Sequence, residues 1–191
     1  MTEKILLANR SQLGPFDSSE VELPLGFLDF GAIRLVPESD IGIRLEVEES
    51  TNRVVALTLE SAGTTLQVSV FAASKHEGVW SDVLAQLRTS IDSSGGSATD
   101  YIGQLGPGLD AEVKQPEGGF RKIRFVGVDG PRWFIRGSIT GVALDDLVAA
   151  TVIEDIFRSL VIHRGDSPMP PKEPLEIVVP AGIITPPRPG I

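Results

Sequence analysis

The chain predicts an α+β domain, a mainly antiparallel β-sheet with two principal helices packed on it. Three observations carry this: strict period-two alternation over much of the first half, two stretches where the period changes to that of a helix, and short turn-forming links between strands. In Ile41-Gly42-Ile43-Arg44-Leu45-Glu46-Val47-Glu48 apolar and polar residues alternate without interruption, which is a strand with one buried face. Gly31 to Val36, Arg53 to Glu60 and Thr64 to Phe71 read the same way. The links Pro37-Glu38-Ser39-Asp40, Ser50-Thr51-Asn52 and Ser61-Ala62-Gly63 are too short for crossovers and imply a meander.

The period changes after Phe71. Ser74 stands three residues before Glu77, a capping-box spacing that predicts a helix from there, and Trp80, Val83, Leu84, Leu87 and Ile91 follow as one apolar stripe. The run Asp92-Ser93-Ser94-Gly95-Gly96-Ser97 ends it. Further strands are predicted over Leu109 to Lys114, Arg121 to Val128 and Arg132 to Thr140, with Asp129-Gly130 as a hairpin signal that Pro131 tempers. Leu144, Leu147, Val148, Thr151, Val152 and Ile156 give the second helical stripe, and Leu160 to His163 a short strand. From Asp166 onward eight of the 14 prolines occur, so that stretch reads as extended chain, with Leu175 to Val179 as a candidate edge strand. The organisation expected is an N-terminal extension over 1–28, a single α+β domain over 29–165 and a proline-rich C-terminal tail over 166–191.

Composition excludes several chemistries. With 191 residues the chain can bury roughly 70% of the surface its unfolded form exposes, and it needs no covalent staple. It has no cysteine, which rules out disulfides, thiolate metal sites and a cysteine nucleophile, and suits a cytoplasmic protein. Charged or turn residues interrupt every apolar run, so no membrane span and no signal peptide is expected. A net charge of −9 opposes delocalised binding to nucleic acid or anionic membrane.

The sequence resembles an actinobacterial family of uncharacterised proteins, a catalogued domain of unknown function. The resemblance rests on Gly14-Pro15-Phe16-Asp17, on Phe71-Ala72-Ala73 leading to Glu77-Gly78-Val79-Trp80, on the block from Phe125-Val126-Gly127-Val128-Asp129-Gly130 through Pro131-Arg132-Trp133-Phe134-Ile135-Arg136-Gly137, and on Arg164-Gly165-Asp166-Ser167-Pro168-Met169-Pro170-Pro171. It implies a cytoplasmic protein of a high-GC Gram-positive bacterium and no particular activity. The order of elements is also similar to that of a Mog1/PsbP-like sandwich, an analogy that concerns fold alone.

No catalytic constellation is visible. His76 and His163 are the only histidines and lack metal-ligand spacing, so no metal and no cofactor is expected. No Gly-x-Ser-x-Gly elbow occurs. Asp145-Asp146 and Glu154-Asp155 read as solvated helix charges, and Gly103-Gln104-Leu105-Gly106-Pro107-Gly108 as a loop without the lysine a phosphate cradle needs.

The sharpest signal is Arg132-Trp133-Phe134-Ile135-Arg136. Alternation puts Trp133 and Ile135 on a buried face and Arg132, Phe134 and Arg136 on the other, an aromatic between two guanidiniums, with Arg124 or Lys122 extending the patch if the neighbouring strand pairs across the Asp129-Gly130 turn. The expected function is a non-enzymatic ligand- or protein-binding module whose site holds Arg132, Phe134, Arg136, Asp129 and Arg124 and whose partner is an anionic small molecule or an acidic protein. The same arginines also suit a purely structural role, covering the sheet with their aliphatic stems. Two alternatives stand beside it: an enzyme of unrecognised type with a pocket near Asp129, Arg132 and His163, and a structural subunit of a homo-oligomer paired through a free strand edge. The Pro168-Met169-Pro170-Pro171 and Pro171-Lys172-Glu173-Pro174 spacings read as packed or trailing chain rather than as recognition motifs.

Overall fold

In a computed structural model, residues 4, 7–48, 50–51 and 53–180 are described. The chain runs through a one-turn helix α1 (Arg10–Leu13), short strands β1 (Phe16–Asp17), β2 (Leu28–Asp29) and β3 (Ile33–Leu35), and long strands β4 (Gly42–Glu48), β5 (Arg53–Ser61) and β6 (Thr64–Ala72). Helix α2 (Trp80–Ser93) follows, then β7 (Ser97–Gly103), β8 (Gly106–Lys114), β9 (Phe120–Asp129) and β10 (Trp133–Gly141). A 3-10 turn, α3 (Leu147–Ser159) and β11 (Val161–Ile162) complete the order. The α+β, mainly antiparallel class read from the sequence is the class observed.

Seven strands form one antiparallel sheet in the order β4-β5-β6-β10-β9-β8-β7, and four short ones form a second sheet, β1-β11-β3-β2. Helix α3 and the small sheet cover one face of the large sheet, where Leu66, Val68, Val70, Trp133, Ile135, Ile153 and Phe157 make the main core. Helix α2 covers part of the other face and encloses a second core with Leu109, Phe125 and Phe134. The large sheet is therefore the middle of three layers. Its central strands are buried on both sides, which explains the unbroken apolar run Trp133-Phe134-Ile135, the signature of a doubly covered strand rather than a half-exposed one.

Several local expectations change. Helix α2 begins at Trp80, six residues after Ser74, whose hydroxyl instead accepts from the amides of His76 and Glu77 in a turn. The predicted stripe of α3 is rotated: Leu147 and Val148 are exposed at 86% and 75%, and the face that packs is Ala150, Ile153, Glu154 and Phe157, spaced i, i+3, i+4, i+7. Glu154 is buried, not solvated, and accepts a 2.9 Å hydrogen bond from the Tyr101 hydroxyl. Asp146 is the cap of α3, its carboxylate accepting from the amides of Val148 and Ala149. The glycine-rich 103–108 stretch is the end of β7, the two-residue turn Gln104-Leu105 and the start of β8, and β7 itself, which the residue pattern does not announce, is an edge strand.

Both ends of the described chain pack against the sheets. Arg10 is buried over the Trp133 ring and paired with Glu20, while the Trp133 indole donates to Asp17 at 2.8 Å. At the other end Leu175 and Ile177 are buried, and the amide of Leu175 donates to the Val70 carbonyl, that of Val178 to Phe30 and that of Ala32 to Glu176. The candidate edge strand is thus reduced to isolated bridges from Ile177 to Gly31 and Val54, with Pro174 just before it bridging to Phe71. Residues 181–191 of the expected tail lie outside the described residues. Ile177→Ala is expected to cost about 2–5 kcal/mol in urea unfolding, because it opens a cavity at a fully buried site; an unchanged midpoint would show the segment to be a loose cover.

Candidate functional site

A concavity lies where α2 crosses the large sheet. Strands β6 and β10 supply its floor: they pair with Phe71 opposite Phe134 and Ser69 opposite Arg136, which places Phe71, Phe134 and Arg136 side by side on the α2 face of the sheet. Helix α2 supplies one wall through Val79, Val83 and Leu87, with Gln86 and Ser90 at its outer edge. Residues at these spacings share one side of a helix. Lys172, from the chain that returns across the end of β6, closes the rim. The groove encloses about 280 Å³.

The floor continues inward as an aromatic stack. Phe134 lies between Phe71, ring centroids 5.9 Å apart, and Trp80, at 5.6 Å, with both pairs near parallel. Trp80 rests flat on Gly127 of β9, where a Cβ would come within 2.6 Å of the indole, so only glycine allows this approach. The indole nitrogen donates to the Pro107 carbonyl at 2.7 Å. The N-terminus of α2 is held from below by Asp129, whose carboxylate accepts from the amides of Val79 at 2.9 Å and Trp80 at 3.4 Å. A hairpin residue on the sheet thereby fills the capping role that the sequence pattern assigns to Ser74.

Arg136 is the guanidinium that lines the groove. The side chain is half-buried, its guanidinium carbon 5.7 Å from the Phe71 ring centroid, and it makes no hydrogen bond or ion pair among the described residues. Burial alone pulls its pKa downward. A guanidinium that has lost part of its water without gaining an anion is in an unfavourable state that a bound carboxylate or phosphate would relieve. Lys172 is exposed and adopts φ 70°, a left-handed conformation that costs a non-glycine residue about 1–2 kcal/mol and is fixed here by its amide donating to the Ala72 carbonyl at 2.8 Å.

The five residues singled out in the sequence separate in space. Phe134 and Arg136 line the groove, but Phe134 is only 1% exposed, buried under α2 instead of forming a solvent-facing platform. Asp129 is buried beneath the start of α2. Arg124 is also buried: it donates two hydrogen bonds to Asp110, at 2.7 and 2.9 Å, and stacks 3.8 Å from the Tyr101 centroid, which makes it part of the link between β8, β9 and the turn before α3. Arg132 is exposed, and its charge lies near that of Arg164, which burial and then Arg132 both pull downward in pKa. Among the described residues no hydrogen bond or ion pair joins Asp129, Arg132 and His163 to one another; His163 Nδ1 sits 3.0 Å from the Ser18 hydroxyl. The residues that the sequence does not reveal as neighbours are Leu87, Val83 and Lys172. The stripe of α2 is legible there, but which sheet face it covers is not.

Among the described residues there is no helix long and apolar enough to cross a membrane and no cluster of three metal-ligating side chains. A family model described as a protein of unknown function (DUF3710) matches residues 14–185. No curated protein matches the chain, and no solved structure does.

Proposed function

The chain belongs to the DUF3710 family of proteins of unknown function, and we propose that it is a non-enzymatic binding module whose site is the groove between α2 and strands β6 and β10, occupied by an anionic ligand. The observation that carries this reading is Arg136: a half-buried cation at the side of a groove, unpaired among the described residues, in a chain whose net charge of −9 offers carboxylates in plenty. Elsewhere the buried arginines are neutralised, Arg10 by Glu20 and Arg124 by Asp110. The half-buried Arg158 and Arg164 also lack an ion pair among the described residues, but neither lines the groove; Arg136 and Lys172 are the cations that do, and both suit a negative charge supplied from outside.

A direct test is to incubate the purified chain with a metabolite extract, wash it, denature it and identify released anions by mass spectrometry. Wild type should retain an anion that Arg136→Gln loses, since removing a charged partner from a half-buried contact costs about 1.5–3 kcal/mol, roughly 10- to 100-fold in affinity. Arg132→Ala should retain it, because Arg132 lies outside the groove. Identical retention by wild type and Arg136→Gln would refute the proposal and return the arginines to a structural role.

Lys172→Gly separates function from folding. Glycine adopts φ 70° without penalty but loses more backbone entropy, so the two effects offset and stability should change by less than about 1 kcal/mol. Affinity for the retained anion should fall by about 2- to 5-fold, the worth of an exposed charge pair. Calorimetric titration alongside a thermal melt reads both.

A further inference from the structure

The reading of the groove as an anion site leaves open what kind of anion it takes, and its chemistry is asymmetric in a way that narrows the choice. The floor and the inner helix wall are Phe71, Phe134, Val83 and Leu87, all carbon surface, and the charged groups of the lining are two cations, Arg136 and Lys172, with Gln86 and Ser90 at the outer edge of the helix. A polyphosphate or a citrate-like ligand would set most of its charges against that carbon surface, away from the two cations. A small inorganic ion would pair with Arg136 and leave the aromatic floor wet. A molecule with one charged end and one apolar end suits the cations and the carbon surface at once.

We propose that the ligand is a monoanionic amphiphile, a single carboxylate on an apolar body with about eight to ten non-hydrogen atoms in all, with its head between Arg136 and Lys172 and its body along Phe71 and Leu87. The size follows from the 280 Å³ of the groove at roughly 30 Å³ for each water-sized group. The head meets the two cations of the groove wall, and the carboxylate geometry matches the two-pronged donor face of a guanidinium. Phe71, the half-buried ring of the stack, supplies the accessible apolar surface of the floor, with Phe134 packed behind it. The proposal rests on the groove being the binding site, and goes further in fixing the class of ligand.

The test is calorimetric titration of the full chain with octanoate, octanol, octylamine, acetate and inorganic phosphate, repeated on Arg136→Gln and on Val83→Trp, which fills the helix wall. Thermal melts establish that both variants are folded. Octanoate should bind at least about 10-fold more tightly than acetate or octanol. Arg136→Gln should remove the preference of octanoate over octanol, and Val83→Trp should abolish binding of both. If phosphate or acetate binds as tightly as octanoate, the amphiphile is overturned while the anion groove stands. If octanol or octylamine matches octanoate in the wild type, the paired-cation assignment of the head is overturned. If no probe binds at millimolar concentration, the ligand class is overturned, and metabolite retention by wild type against Arg136→Gln decides separately whether the groove binds another anion.

Discussion

Trp80→Ala is expected to destabilise the chain by about 3–5 kcal/mol and to lower its thermal midpoint by about 6–20 °C. The indole is 2% exposed, stacks on Phe134, covers Gly127 and donates to Pro107, so one side chain ties the first turn of α2 to three strands of the large sheet. The space it leaves is hard to refill, because Gly127 presents bare backbone there. Trp80→Phe should recover about half of the loss, restoring the stack but not the hydrogen bond. Urea unfolding of the three proteins reads this directly. A cost below about 1 kcal/mol for Trp80→Ala would mean that α2 is held by something other than its tryptophan, and the groove it forms would lose its rigid wall.

The second large effect is at Asp129. Asp129→Ala strands two buried amide donors at the start of α2 and should cost about 2–4 kcal/mol, whereas Asp129→Asn keeps one acceptor for Val79 and should cost about 1 kcal/mol. Burial pushes the Asp129 carboxyl upward, against the pull of the Val79 and Trp80 amides and of Lys4. The sign of the pH effect follows. A raised folded-state value means the folded chain takes up this proton before the unfolded chain does, so the group's contribution to stability increases as pH falls from neutrality toward the ordinary carboxylate range. Glu20 behaves oppositely: hydrogen bonding to Arg10 holds it below its ordinary value, so its contribution is present above the ordinary carboxylate range and is lost as pH falls through its lowered value. Denaturation of wild type and Asp129→Asn at stepped pH should therefore show the gap between them widening toward acid, and a gap that narrows would contradict the burial argument.

Much of this architecture is legible in the residues. The alternation of Ile41 to Glu48 and of Thr64 to Phe71, the Asp129-Gly130 turn and the stripe Trp80, Val83, Leu87, Ile91 lead to the antiparallel sheet and to α2 without further information. What they leave undetermined is depth. Period two tells which residues share a face but not whether that face is covered, and Phe134 looks the same to the alternation whether it faces water or a helix. The run Trp133-Phe134-Ile135 carries the missing signal, since a half-exposed strand does not place three large apolar residues in succession. In α3 the apolar residues Leu147, Val148 and Val152 outweigh Ala150 and Glu154, which pack through small size and a tyrosine partner that lies 53 residues earlier in the chain. Arg124 and Arg136 are equivalent in the sequence. Only the fold gives Arg124 an aspartate across the strand pair and leaves Arg136 without one among the described residues.

The role of the groove turns on where an anion sits. Amide chemical-shift mapping of the full chain with acetate, octanoate, benzoate, inorganic phosphate and citrate, each titrated separately, locates that position whatever the natural ligand is. At least one of these probes should shift amides clustered on Val79 to Ser90, Phe134 to Gly137 and Lys172, and Arg136→Gln should erase that cluster. Shifts confined to Arg132 and Arg164, or none from any probe at millimolar concentration, would contradict the groove as the site.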